Sequence, residues 1–313
     1  MALVLIIAGF ALLAGLLAWY SPHICYRAVI KRKSARLKPD RGAGEQWLET
    51  QPCERVSIVS HDGLKLNAYY LAAGEGASGR DTAVFAHGYM ADGRQLGAYA
   101  RLFWEKLGCN ILLPDARGYG YSEGAYTGFG WHDRLDILGW IGWIKKNGEN
   151  RGPAQNALPI RIILFGLSMG AATMLMVSGE NPPPELKLII EDCGYTSLAD
   201  EVRHQLQYLY HIPGIFRNWL FRASNDLTGK FAGYRFEEAS ALNQVKKSKI
   251  PTFFIHGGAD NYVPTKMAYS LFEACPAEKE LYIVPGASHT AARNTDPAEY
   301  DKRVAGFVMK YMP

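Results

Sequence analysis

Cysteine is scarce in this sequence and badly placed for cross-linking. The five residues Cys25, Cys53, Cys109, Cys193 and Cys275 are odd in number, widely spaced and free of any CxxC pair. That excludes a disulfide framework and a thiolate zinc site, and leaves free thiols as the expected state. No glycine-rich phosphate loop, dinucleotide fingerprint or metal-ligand cluster occurs, so neither a cofactor nor a metal is expected. Neither sign of charge dominates: 34 Lys and Arg face 30 Asp and Glu, a formal net charge of +4. With no basic stripe interleaved with aromatics, nucleic acid is not an expected partner. Repeats and low-complexity tracts are missing, and extended apolar stretches are too, with one exception. That excludes a multi-span membrane protein. What remains is 313 residues, 48% hydrophobic and 20% charged, a chain able to bury a sizeable core.

The exception lies at the N-terminus. Residues 2–20 read ALVLIIAGFALLAGLLAWY, without a charge. At about 1.5 Å per residue this run nearly spans a hydrocarbon core of ~30 Å, and Trp19 and Tyr20 stand where interfacial aromatics belong. A signal peptide would want positive charge ahead of a shorter apolar core and a small-residue cleavage site; a buried soluble helix is the plainer alternative. We read residues 1–22 as a single transmembrane anchor. Arg27, Lys31, Arg32, Lys33, Arg36, Lys38 and Arg41 follow with hardly an acid before Glu45. The positive-inside rule then places the globular part in the cytoplasm. Residues 23–50 read as a basic linker, either solvated or in contact with anionic lipid headgroups.

From Glu54 onward strand-like and helix-like stretches alternate. ERVSIVS and LKLNAYYLA flank His61-Asp62-Gly63, a hairpin signal. TAVFAHG, NILLPDARG, IRIILFG, LKLIIED, TFFIHGG and LYIVPG are short apolar runs, separated mainly by amphipathic segments such as residues 131–146, with Ile137, Leu138, Ile141 and Ile144 on one side. Continuous apolar strands alternating with helices predict an α/β domain over residues 51–313, built on a mostly parallel eight-stranded sheet with helices on both faces. Asp296 and Pro297 mark the start of a last helix. Residues 193–250 interrupt the alternation and carry nine aromatics, among them Tyr208, Phe216 and Trp219. This reads as a helical cap over the end of the sheet, its aromatics either lining an apolar channel or forming the cap's own small core.

Gly166-Leu167-Ser168-Met169-Gly170 follows the strand IRIILF and precedes the helix-like AATMLMV. A GxSxG in that strand–turn–helix context is a nucleophile elbow: the turn is too sharp for side chains at Gly166 and Gly170, and it presents the Ser168 hydroxyl at a helix N-terminus. A serine hydroxyl needs a base. His289, in Ala287-Ser288-His289 just beyond the last strand, is the candidate. The other histidines read otherwise: His87 and His256 end strands before glycine and look structural, His61 belongs to the hairpin, and His23, His132, His204 and His211 lack the late-chain loop position. The base needs an acid to hold its tautomer. Asp260 in HGGADNYVP gives the order Ser, Asp, His. Glu191 and Asp192 are runner-up acids, and Asp115 reads as part of a structural turn. Backbone N–H groups of Met169 and of Tyr89, in the loop after TAVFAHG, are the expected oxyanion donors.

HGY at positions 87–89, DARGYGYSEG at 115–124, GLSMG, HGGADNYVP and GASH, in that order, resemble the α/β-hydrolase-fold serine hydrolases, and more closely the bacterial membrane-anchored hydrolases of the serine-aminopeptidase-like group. The lipase-type HGGG is absent; HGYM stands in its place. The resemblance implies an acyl-enzyme mechanism with Ser168, Asp260 and His289 as triad and Tyr89 and Met169 as oxyanion donors. Since related eukaryotic proteins include lipid hydrolases and protein depalmitoylases, it does not fix the substrate. Anchor and aromatic cap together favour an acyl-chain ester or thioester near the bilayer. A peptidase and a membrane-tethered binding protein without turnover are the alternatives.

Overall fold

The structure, a computed structural model, describes residues 19–31, 42–74, 77, 79–149 and 159–312. The expected anchor, apart from residues 19–22, and the cations from position 32 to 41 lie outside the described residues. Among those that are described, no helix is long and apolar enough to cross a membrane.

All eight expected strands form. They are β1 (Glu54–Val59), β2 (Lys65–Leu71), β3 (Asp81–Ala86), β4 (Asn110–Pro114), β5 (Arg161–Leu167), β6 (Leu186–Asp192), β7 (Thr252–Gly257) and β8 (Lys279–Val284). They make one sheet in the order β1-β2-β4-β3-β5-β6-β7-β8. Only β1 with β2 and β2 with β4 pair antiparallel; β4 through β8 run parallel. Sequence pattern and position agree: β3 and β7, each built on a continuous apolar run, are buried along nearly their whole length, whereas edge strand β1 alternates between exposed and half-buried residues. The hairpin at Asp62 turns on Gly63, whose φ of +90° suits glycine.

Around the sheet lie α1 (Ala43–Glu49), α2 (Gly97–Glu105), α3 (Asp133–Glu149), α4 (Met169–Ser178), α5 (Leu198–His204), α6 (Gly214–Ala232), α7 (Ala241–Val245), α8 (Lys266–Ala274), α9 (Ala292–Thr295) and α10 (Pro297–Tyr311). One face packs Leu48, Phe103 and Phe307 of α1, α2 and α10 against Phe85, Phe165 and Phe253. The other packs Ile137, Ile141 and Ile144 of α3 and Met174 of α4 against Val84, Leu112 and Leu164. Asp296 caps α10 by accepting from the Glu299 N–H at 3.2 Å. The turn after β4 is structural, as expected: the Asp115 carboxylate accepts from Gly93 N–H at 3.0 Å and Tyr121 N–H at 2.9 Å.

Residues 193–250 form the cap from α5, a π turn at Gln205–Leu209, α6 and α7. Gly233, at φ +75°, ends α6 in the left-handed conformation. The cap has a core of its own, but not from the residues expected. Leu206, Leu220, Phe221, Tyr234 and Phe236 supply it, while Tyr208, Phe216 and Trp219 stand 58%, 59% and 39% exposed. Neither a channel nor a core accounts for these three.

Residues 23–50 also depart from the linker reading in the part described. Positions 19–25 are helical and run straight into a π turn, Tyr26–Ile30. Tyr26 and Ile30 are buried, and the Tyr26 ring meets Phe231 of α6 at 5.5 Å. Lys31 pairs with Tyr126 in an isolated bridge. Helix α1 packs so closely on α2 that a Cβ at Gly44 or Gly97 would collide with the opposing backbone.

Candidate active site

Strand β5 ends and α4 begins within one residue, and that residue is Ser168. Its φ of +56° and ψ of −115° are strained for a side chain. The surroundings impose this conformation. A Cβ at Gly166 would overlap the Gly170 carbonyl, and one at Gly170 would overlap the Ala86 carbonyl, so only glycine lets the turn close against β3. The Ser168 N–H donates to the Asp192 carbonyl of the neighbouring strand at 2.8 Å, pinning the elbow to the sheet.

Two loops bring the partners in. Gly258 N–H bonds to the Val284 carbonyl at 2.8 Å and Ala259 N–H to the Ala287 carbonyl at 2.9 Å, fastening the β7 loop to the β8 loop. A Cβ at Gly257 would collide with the Ala287 carbonyl. The result is a chain of hydrogen bonds: Ser168 Oγ to His289 Nε2 at 2.8 Å, and His289 Nδ1 to Asp260 Oδ2 at 2.7 Å. Asp260 is held on its other oxygen by the N–H groups of Tyr262 and Val263, both at 2.9 Å. Burial alone would raise its pKa, but hydrogen bonds from His256 and His289 and the attraction of both rings hold it well below the usual carboxylate range. Asp260 therefore stays an anion, His289 carries its proton on Nδ1, and Nε2 is left to accept from the serine hydroxyl.

The other residues proposed from sequence are sorted by this geometry. Glu191 and Asp192 are buried under the elbow, where burial raises both pKa values. Glu191 accepts from Gly194 N–H at 2.9 Å and Asp192 from the Tyr300 hydroxyl at 2.9 Å; neither is hydrogen-bonded to His289. His87 bridges two loops, its Nδ1 on the Gly88 carbonyl at 2.8 Å and its Nε2 accepting from Ala116 N–H at 3.0 Å. Met169 opens α4, so its N–H has no partner within the helix. Tyr89 and Met169, the oxyanion donors expected from sequence, both border the cavity beside Ser168.

That cavity holds about 480 Å³ and is overwhelmingly apolar. Leu198, Val202, Leu206, Leu220 and Phe236 of the cap line one side, Phe129 and Val263 of the sheet loops another. Three features of it escaped sequence reasoning. First, the N-terminal segment from Ile24 to Ile30 forms a wall. A signal was present, since Tyr26, Val29 and Ile30 recur at helical spacing. Second, the Tyr89 phenol fastens that wall, donating to the Val29 carbonyl at 3.1 Å while its ring stacks on Phe129 at 5.4 Å. Third, Glu201 borders the cavity, 7% exposed, with Oε1 accepting from Gln205 Nε2 at 2.6 Å and no hydrogen bond to Oε2. Burial pushes its pKa up to about 8. His256 was read as structural from sequence; it lies 3.3 Å from Asp260 and donates to the Val263 carbonyl at 2.9 Å.

Cys193, Asp260 and His289 lie close enough together to be tested as metal ligands, but the Asp260 carboxylate already accepts from two N–H groups and two imidazoles. His61, Asp62 and Asp136 also cluster, and there both carboxylates are committed to Arg117, at 2.8 and 2.7 Å. Neither donor set fits a resident metal.

Comparison with known proteins bears on fold and class. The sequence profile of the X-Pro dipeptidyl-peptidase (S15) family matches residues 67–219. That of the prolyl oligopeptidase family matches residues 154–313, just over half of the chain. The chain is similar to YqkD of Bacillus subtilis, itself described as uncharacterized, with 27% identity over 285 residues, 89% of this chain and 88% of that one. It is similar to protein bem46 of Schizosaccharomyces pombe, 23% identical over 75% of this chain and 70% of that one. Among solved structures the esterase Pf2001 of Pyrococcus furiosus superposes with a TM-score of 0.69 at 22% identity, covering 91% of this chain and 100% of that chain.

Proposed function

Because the chain belongs to the prolyl oligopeptidase family and is a serine hydrolase of the α/β-hydrolase fold, we propose that it cleaves carboxylic esters or thioesters of acyl chains at a membrane, with residues 2–20 as its anchor. The observation that carries this reading is the apolar cavity of about 480 Å³ reached directly from Ser168. A pocket of that size and mainly apolar lining suits a hydrocarbon chain.

In the proposed reaction Ser168 Oγ attacks the acyl carbonyl carbon as its proton passes to His289 Nε2. The Tyr89 and Met169 N–H groups take the developing oxyanion, and the dipole of α4 favours it. The imidazolium, stabilised by Asp260, then gives its proton to the departing alcohol or thiol. Water, deprotonated by the same Nε2, releases the acid from the acyl-enzyme. The alternative of a binding protein without turnover is disfavoured by the strained elbow and the two short hydrogen bonds, which serve no binding purpose.

The test joins fluorophosphonate labelling with a series of soluble esters of increasing acyl length. Ser168→Ala should abolish labelling without altering thermal stability, since one oxygen at the elbow carries little packing. For the wild type, kcat/KM should rise about fourfold per methylene until the cavity is filled, from roughly 0.8 kcal/mol per buried CH₂. A flat series would remove the acyl-chain reading and leave the hydrolase. One observation favours a peptidase instead: both matching families are described as peptidases. Faster cleavage of dipeptidyl or prolyl amides than of any ester in the series would decide for it.

A further inference from the structure

Ten of the fifteen large hydrophobic side chains left exposed among the described residues fall in two stretches, three at positions 19–24 and seven at 208–231. Folded domains rarely leave that much apolar surface together unless something covers it. Ile215 is 80% exposed and Phe216 59%, and neither borders the cavity. The two stretches belong together. Tyr26 meets Phe231, and Ile24 and Tyr210, both largely exposed, border the same cavity. The mouth of the active-site pocket therefore opens on this face. Exposed Arg222 and Lys230 of α6 lie among the aromatics, the pairing of aromatic and cationic side chains that suits an interface with anionic headgroups.

The chain that precedes this face says what covers it. Residues 1–18 carry no charged side chain, and the face begins at Trp19, directly after them. Positions 19–25 are helical, so Ile24, at the mouth, lies only about 7–8 Å along the axis from Trp19. A tether that short leaves no room for the mouth to face away from the bilayer.

We propose that the cap and the N-terminal segment together form a bilayer-docking face, with Ile215 and Phe216 inserted among lipid chains, and that acyl substrate enters the pocket laterally from the membrane through the mouth between Ile24 and Tyr210. The proposal rests on the reading of residues 2–20 as an anchor.

The experiment uses the full chain reconstituted into vesicles of phosphatidylcholine with a minor fraction of phosphatidylserine. A fluorescent amino acid is incorporated at position 215, at 216 or, as a control, at 59, where Val59 is 74% exposed on the edge strand. Quenching by lipids brominated along the acyl chain is expected at 215 and 216 and not at 59. Flotation of the same samples separates the two readings. Protein that floats, with 215 and 216 quenched no more than 59, overturns the docking face and leaves the anchor standing. Protein that does not float overturns both. Shielding of 215 and 216 from aqueous quenchers without bromolipid quenching assigns the face to a second copy and overturns the proposal. The double variant Ile215→Glu with Phe216→Glu adds a catalytic readout. It should lower kcat/KM for a vesicle-embedded long-chain ester by about tenfold or more and leave a soluble short ester near the wild-type rate. Equal loss on both esters would mean damage to the fold or pocket, and would overturn lateral entry through this face.

Discussion

Replacing Asp260 by Asn changes one atom and, by the geometry of the site, reverses the direction of a proton. Oδ1 accepts from two backbone N–H groups, those of Tyr262 and Val263. An amide at this position keeps its carbonyl oxygen there, because an NH₂ turned toward two donors would lose both bonds. The NH₂ must then face His289 Nδ1, which sits 2.7 Å from Oδ2. Nδ1 becomes the acceptor, the ring proton moves to Nε2, and Nε2 donates to Ser168 Oγ where it must accept. The hydroxyl has lost its base with every heavy atom in place. In the serine-protease precedent this tautomer trap costs ~10⁴-fold in turnover, and a loss of that order is expected here. The assay pairs soluble-ester turnover with the rate of fluorophosphonate labelling, which should fall in parallel, and with thermal melting, which should shift little because the Tyr262 and Val263 bonds persist. His256 can adapt, since its Nε2–H already has the Val263 carbonyl. A near-normal rate in a folded variant would refute the reasoning and move the acid to Glu191 or Asp192.

Three further outcomes follow from the same structure. Glu201, with its pKa raised to about 8 by burial, stays protonated in the fold where an unfolded carboxyl has already ionised. Its contribution to stability is complete below about pH 4.5 and is lost as pH rises through 8, at no more than ~1.4 kcal/mol per pH unit. Glu201→Gln should melt progressively higher than the wild type across that window; parallel melting curves would show that the group is not buried as described. Tyr89→Phe removes a hydrogen bond worth about 1 kcal/mol between the oxyanion loop and the N-terminal wall, so KM for long acyl chains should rise a few-fold while acetyl-ester kcat holds; equal effects on both would place the phenol in the chemistry. Deleting residues 1–20 should free the protein from membranes and keep short-ester hydrolysis, whereas deletion through residue 31 should strip the cavity wall and lose chain-length preference, measured as the slope across the ester series. If the two truncations behave alike, the wall at Ile24–Ile30 has no part in binding.

The sheet and the elbow were legible in the sequence because their constraints are local. A strand buried on both faces needs a continuous apolar run, and β3, β5 and β7 carry one, at Ala83–Ala86, Ile162–Phe165 and Phe253–Ile255. A turn that passes backbone against backbone admits only glycine, and Gly166 and Gly170 announce it. Even the pairing of Asp260 with His289 could be anticipated, because each loop follows a parallel strand and neighbouring parallel strands deliver their loops to one end. The cavity was another matter. Its walls come from Ile24, Tyr89, Phe129, Leu198 and Phe236, positions spread across most of the chain, and no periodicity links them.

Composition misled in the cap for a related physical reason. An aromatic run signals that something apolar will cover those rings, but not whether the cover is protein or lipid. Phe221 and Phe236 pack on each other at 5.5 Å inside the cap, while Phe216, five residues before Phe221, projects outward. On a helix of 3.6 residues per turn, five positions carry a side chain about 140° around the axis. Helix α6 therefore has two apolar faces, one closed by the cap's core and one open. A helix in water gains nothing from the second face. The fold itself leaves that face open, and the uncharged residues 1–18, which run directly into the neighbouring exposed segment at Trp19, supply the reason to propose lipid there.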